Sequence, residues 1–447
     1  MHALLALVFV LIASAAAADP PPAARPSYRE LRFEEDWSVL ADPDALPSRD
    51  LFDPLKYVEL GDDVWVSFGG QLRARFEAWD DYEFGSDEAF DPDEAFALAR
   101  VLAHVDLHLG ERARLFVEVK AAGSTDQHVF GDTRPLDVDW LDLQNGFLEL
   151  SGEALRFRLG RQELGFGRQR LVSPLDWANA RRTFDGATLE WLRGDWHTTG
   201  FVTRAVRVRP DDWNDDQPLE AFYGVHATRR ATSETARLDL YAYGIEAEDG
   251  DGRFFTLGGR VADGIGDTAF DYDLELAGQL GSDAFRAAMF ASQLGYWLAE
   301  HSLSPRFFVG FDWASGGDDG VFDQLFPLGH AYFGAIDAVG RQNLLAASAG
   351  VTFRPLAAVT AELALHQFWL DDPGSGLFAA DGRQTRPGLD ASRHEVGAEL
   401  DLVGKWQIDP HTALFAGYAH FFPGGFIEET GSDGATDFGY VMLQYVF

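Results

Sequence analysis

Arginine is the residue whose placement in this chain asks for a chemical explanation. Between Leu155 and Ser173 the sequence reads LRFRLGRQELGFGRQRLVS and carries Arg156, Arg158, Arg161, Arg168 and Arg170. From Ser151 to Arg209, 11 arginines stand against six acids, a local excess of five positive charges in a chain whose formal net charge is −36. A guanidinium is permanently charged, and its planar fork binds a carboxylate through two parallel hydrogen bonds. Rings of such groups around a constriction select for anions. A second use is a ladder of cross-strand ion pairs, with Glu77, Asp106, Glu118, Glu399 and Asp401 as partners. The choice depends on which way the arginines face.

Other chemistries find less support. The chain has no cysteine, which removes disulfides, thiolate metal sites and thiol nucleophiles. It contains no G-x-S-x-G, no H-E-x-x-H and no P-loop, so no reaction is expected of it. His104 and His108 share a strand face with Asp106 between them, but a strand spacing of four residues separates them by ~13 Å, too far to chelate one metal together. No cofactor is expected. The acid-rich stretches Asp211–Gln217 and Ser315–Gly320 offer oxygen ligands for Ca²⁺ without matching an EF-hand loop. So acidic a chain also lacks the phosphate-neutralising surface of a nucleic-acid-binding protein.

The elements that position these residues are strands. From Val64 onward the periodicity is two: Val64, Val66, Phe68, Leu72, Ala74 and Phe76 share one face, and Trp65, Ser67, Gln71, Arg73, Arg75 and Glu77 the other. The same alternation sets Val101, Val105 and Leu107 against Arg100, His104 and Asp106, and Leu274 and Leu276 against Asp273 and Glu275. Such segments run to about ten residues, and roughly 18 of them are present, the even number that bacterial barrels use. Their connections alternate between tight turns and long loops, the pattern of an outer-membrane barrel. The sequence therefore predicts an all-β, transmembrane antiparallel β-barrel of about 18 strands over residues 64–447. Residues 1–18 read as a secretory signal with A-x-A before Asp19, and residues 19–63 as a periplasmic segment containing a short helix or plug. The chain ends YVMLQYVF, with an aromatic suited to the interfacial girdle.

Parity then orients the arginines. A charged side chain facing lipid near the midplane costs ~2–4 kcal/mol. Leu155, Phe157 and Leu159 therefore take the lipid side, and Arg156 and Arg158 point into the lumen. Arg73, Arg75, Arg100, Arg114, Lys120 and Arg260 fall on lumen faces by the same count. Arg161 shares the parity of Leu159, which places it at the rim or implies a bulge. The following loop, Leu164 to Arg182, carries Arg168, Arg170, Arg181 and Arg182 and is expected to fold inward.

With these residues identified, the chain resembles the alginate export family of outer-membrane barrels. The likeness is carried by EEDWSVLADP and FDPLKYVELG before the barrel, GGQLRARFE in its first strand, DWLDLQNGFLEL, LGRQELGFGRQRLVS and NARRTFDGATLEW. It implies an 18-stranded barrel with a constricted, arginine-rich lumen that passes anionic polyuronate. Onto this chain it carries Arg73, Arg75, Arg161, Arg168, Arg170, Arg182 and Asp185 as lumen or constriction residues. The departure is in the second half, where Asp271, Asp273, Glu275, Glu399 and Asp401 also face the lumen. The expected function is passive passage of anionic polysaccharide or oligosaccharide across the bacterial outer membrane, with a small-anion or general diffusion porin as the alternative. Expected partners are outer-membrane lipid and lipopolysaccharide, the barrel assembly machinery and periplasmic export proteins.

Overall fold

The computed structural model describes residues 25–42, 46, 48–85, 93–125, 136–214, 221–233, 235–246, 253–282, 284–388 and 390–447. The segment expected to be a signal, 1–18, lies outside them. Eighteen strands form the barrel. The first six are β1 (Val64–Asp80), β2 (Glu94–Leu109), β3 (Ala113–Ser124), β4 (Asp139–Ser151), β5 (Leu155–Gln162) and β6 (Phe184–Arg193). Next come β7 (Trp196–Ala205), β8 (Ala221–Arg229), β9 (Arg237–Glu246), β10 (Phe254–Gly264), β11 (Phe270–Gly281) and β12 (Arg286–Trp297). The last are β13 (Arg306–Ala314), β14 (Leu344–Leu356), β15 (Val359–Leu370), β16 (Glu395–Gln407), β17 (Thr412–Pro423) and β18 (Thr436–Val446).

Each strand pairs antiparallel with its sequence neighbour, and β18 pairs with β1 from Gln71↔Val446 to Asp80↔Asp437, which closes the sheet. Closure pairs the two ends of the sheet from Gln71 to Asp80, and so satisfies there the backbone groups that hydrocarbon would penalise. The alternation works as parity requires. Leu155, Phe157 and Leu159 are exposed on the outer wall, as are Leu72, Phe76, Val101 and Val105, while Arg73, Arg75, Arg100 and Arg158 are buried within. No helix among the described residues is long and apolar enough to cross a membrane; the strands supply the crossing.

Tight turns, such as 110–112, 152–154 and 194–195, join strands at one end, which is the periplasmic end by the barrel rule. Two of the long links at the other end turn inward. The loop 163–183 and the loop 315–343 fold into the lumen and meet in a parallel bridge, Val172↔Phe326. Two further hydrogen bonds tie them, Phe326 N to Leu171 O at 2.8 Å and Leu328 N to Gln169 O at 2.9 Å. Around this contact Phe184, Phe222, Phe322, Phe333, Phe368 and Phe421 pack as an internal core. The loop 371–394 carries a small hairpin, Leu377–Phe378 with Gln384–Arg386, and backs the second loop through Gly340 N to Phe378 O.

The described residues of the segment ahead of the barrel form single turns, Arg32–Glu34, Ser38–Ala41 and Asp53–Lys56, and a short strand, Val58–Gly61, that pairs with β1. It packs beneath and partly inside the barrel at the periplasmic end, and we refer to residues 25–61 as the strap.

Candidate functional site

The in-folded loops divide the lumen. A cavity of about 790 Å³ is lined by Arg168, Arg170, Trp297, Arg306, Glu362 and His366 among others, and Trp297 and Arg306 place it towards the periplasmic turns. A second, of about 550 Å³, is lined by Tyr82, Glu83, Asp137, Arg182 and Arg383 among others, and opens towards the outer loops. His330 and Ala335 line both cavities, so the layer they occupy is the septum.

The septum is built by stacking. Trp177 of the first loop lies flat on His330 of the second, ring centres 3.6 Å apart at 6°. The Arg75 guanidinium covers Trp177 at 4.1 Å and donates to its carbonyl at 2.6 Å. Tyr440 of β18 meets Trp177 edge-on. His330 also faces Asp337 at 3.1 Å. The stretch after it is fixed to the wall by backbone donation from Ile336 N to Glu399 at 2.9 Å. Gly334 must be glycine there: a Cβ would lie 2.3 Å from the Glu399 carboxylate, and its φ of +89° is one that side chains disfavour.

The arginines identified from sequence are placed as follows. Arg73 and Arg100 both bind Asp176 of the first loop, at 2.6 and 2.7 Å, and Arg181 binds it too at 2.7 Å. Arg75 pairs with Glu77 at 2.7 Å. Arg114 holds Asp106 through two bonds of 2.6 and 2.7 Å. Arg158 pairs with Glu149 at 2.7 Å, and Arg156 with Glu190 at 3.2 Å. Arg170 reaches Asp273 at 2.9 Å and Glu275 at 2.8 Å, so acids of the second half neutralise an arginine of the first.

Arg161 and Asp185 form a bidentate pair of 2.8 and 2.9 Å, and Arg161 also reaches Asp142 and the Asn214 carbonyl. This is the outer rim, beside a register shift in the β3–β4 pairing. Of the two circumstances that parity left open for Arg161, the rim position is the one found, since β5 pairs with β4 and β6 without a register shift.

Two arginines differ from the rest. Arg182 donates to the carbonyls of Ser173 and Pro327, each at 3.3 Å, and covers the Phe326 ring, with no charged neighbour acting on it among the described residues. Arg168 has only Asp273, at 3.8 Å, and its side chain is 53% exposed. Arg182 faces the outer cavity and Arg168 the inner one, so the septum has one weakly compensated cation on either side.

Sequence reasoning did not single out Asp176, Trp177, His330 or Tyr440. The first two lie inside the arginine-rich loop, where an acid and a tryptophan between four arginines were a usable signal. His330 is 153 positions beyond Trp177 (330 − 177), and nothing local marks it. His104 stacks on Phe116 and His108 on Trp65, ring positions that point to packing. Among the described residues, no three metal-ligating side chains converge. Part of the Asp211–Gln217 stretch lies outside the described residues.

A closed 18-strand barrel with a lumen narrowed by inward loops is the architecture of outer-membrane porins. Solved porins share it at the level of fold. Pseudomonas aeruginosa OccD3 (OpdP) superposes with a TM-score of 0.61 at 12% identity, over 96% of this chain and 99% of that one. Acinetobacter baumannii OccAB1 gives 0.60 at 8% identity, over 86% and 96%. Pseudomonas aeruginosa OpdK with vanillate gives 0.58 at 11% identity, over 85% and 98%. No curated protein matches the chain. The particular family is nevertheless defined: residues 64–441 match the model described as alginate export, and the chain belongs to that family.

Proposed function

We propose that the protein is a passive outer-membrane porin for acidic saccharides, in which Arg182 receives a carboxylate on the outer side of the septum and Arg168 on the inner side. One observation carries this reading. Most lumen arginines are already saturated by Asp or Glu, whereas Arg182 has no charged partner among the described residues and lines the outer cavity. A cation held this way attracts a carboxylate without first having to release an internal one. The cavities, about 790 and 550 Å³, lie within the range that ligand sites occupy, and each suits a short run of sugar rings. Family membership supports uronate as the acid. The narrowness of the septum, and a solved structure of like fold described with vanillate, favour a small-carboxylate porin as the second reading.

The test is single-channel current in a planar bilayer, titrating an oligouronate against a neutral oligosaccharide of equal length. Block by the uronate alone is expected. Current indifferent to both sugars would refute the acidic-saccharide reading, and block by simple carboxylates as strong as by oligouronate would favour the second.

A further inference from the structure

Strand β1 poses a problem that β18 does not solve. β18 ends at Val446, opposite Gln71, and Phe447 extends the seam only to Gly70, by hydrogen bonds of 2.9 and 3.1 Å. β18 therefore leaves the edge of β1 from Val64 to Gly69 unpaired. Val58–Gly61 of the strap covers part of it, through Val58↔Val66 and Glu59↔Trp65. An uncovered edge of this kind pairs with other chains or frays.

We infer that the strap is a latch that holds the seam shut and a plug that closes the lumen under β3–β5, seated in a socket made by Gly69 and Gly70. Arg32 is the fastening. It is 3% exposed, and it donates to Gly70 O at 2.9 Å and to Phe447 O at 3.0 Å, one bond to each side of the seam. Glu35 sets its orientation at 2.6 Å and is itself held by the Trp37 indole at 2.9 Å. The two glycines are needed for space. A Cβ on Gly69 would lie 2.5 Å from the His104 ring and 2.6 Å from Lys56 Nζ. One on Gly70 would lie 2.5 Å from Leu102 O and 2.9 Å from the Phe447 ring.

Phe33, the next residue, is the plug. It sits edge-on between Phe116 and Phe147, at 5.9 and 5.3 Å, and Arg158 lies over both Phe33 and Phe147 at 4.4 Å. A cavity of about 280 Å³ lies against this stack, lined by Phe33, Glu34 and Phe166 and by His197, Arg230 and Arg237 beside the periplasmic turns. The strap also braces the septum loop: Arg181 donates to Glu30 O at 3.2 Å, and Gln169 to the Glu30 carboxylate at 3.0 Å. Seam, plug and septum are thus one connected device.

The experiment uses full-length protein in planar bilayers, with trypsin access and heat unfolding as parallel readouts. Arg32→Gln combined with Phe33→Ala is expected to raise conductance about twofold, because loss of the ring widens the water-filled path below the septum in a barrel of this strand number, and to lower the unfolding temperature. Gly69→Ala leaves both residues in place and serves if the double variant fails to assemble. Its strap is expected to be cut by trypsin at Arg49 or Lys56, where the wild type resists. Wild-type conductance with wild-type protease resistance in the assembled variants overturns the inference, as does a wild-type strap that is cut equally fast. The thermal and proteolytic readouts do not depend on which solute the barrel passes.

Discussion

Arg182 is where charge is available, and its replacement isolates that charge from the fold. Arg182→Gln keeps a donor for the Ser173 and Pro327 carbonyls and removes only the cation. Its expected effect is a loss of roughly tenfold in oligouronate block, the size of one charge-assisted bond of about 1.4 kcal/mol, with unchanged unfolding temperature. Arg170→Gln is the contrast, because it takes the cation from Glu275, while Asp273 keeps Arg260, and should lower stability. Lys56 presents the opposite situation, a cation buried without a hydrogen-bond partner. It lies over Tyr28 and Trp37 at 5.3 and 5.0 Å, which offsets part of the cost. Burial still pushes its ammonium down to about 8. The unfolded chain therefore binds the proton more tightly, and the strap should gain stability as pH rises from about 8 to 10.5, where the folded lysine is neutral and the unfolded one is still charged. Lys56→Met should raise the heat-unfolding midpoint at pH 7 and flatten that pH dependence. A slope that survives the substitution would place its source elsewhere.

The inward loop 163–183 is held as an element by one carboxylate. Asp176 receives Arg73 from β1, Arg100 from β2 and Arg181 from its own loop, so three buried cations depend on it. Asp176→Ala should cost roughly 3–5 kcal/mol, the scale of breaking a buried ion pair from one side, and the loosened septum should make single-channel current noisy. Quiet current of wild-type size in that variant would mean that stacking of Trp177 on His330 suffices. The element scale also explains what could be read without coordinates. Strand parity was legible, because each residue of a lipid-facing strand answers to a local choice between hydrocarbon and lumen. The inward fold of the arginine loop was legible from its length and its glycines. The partners of those arginines were not: Arg73 meets Asp176 across 103 positions, and Arg170 meets Asp273 across another 103. Nothing in alternation specifies contact across a lumen. The ambiguity at Arg161 arose because alternation gives the face of a residue but not its height in the barrel, and Arg161 keeps the outward parity of Leu159 at the rim.

For the molecule as a whole, the charge is divided unevenly between loops and lumen. Asp80, Asp81, Asp93, Asp318, Asp319, Asp381 and Asp433 lie in or beside outer links, in a chain of net charge −36. An acidic solute therefore approaches a repelling face before it reaches Arg182. Salt should screen that face, with a Debye length of about 10 Å at 0.1 M, and affect the enclosed cation less. The on-rate of oligouronate block is accordingly expected to rise between 0.05 and 0.3 M salt (about one Debye length and less), the reverse of ordinary electrostatic steering. A falling on-rate would mean that the cations dominate the field at the mouth. The position of Arg32 bears on time as well as on space. Its two acceptors, Gly70 O and Phe447 O, belong to opposite ends of the barrel sequence and come together only when β18 has found β1. The strap precedes every strand in the chain, yet its binding site does not exist until the final strand is in register. What is synthesised early must therefore wait, and its docking records that the barrel has closed correctly.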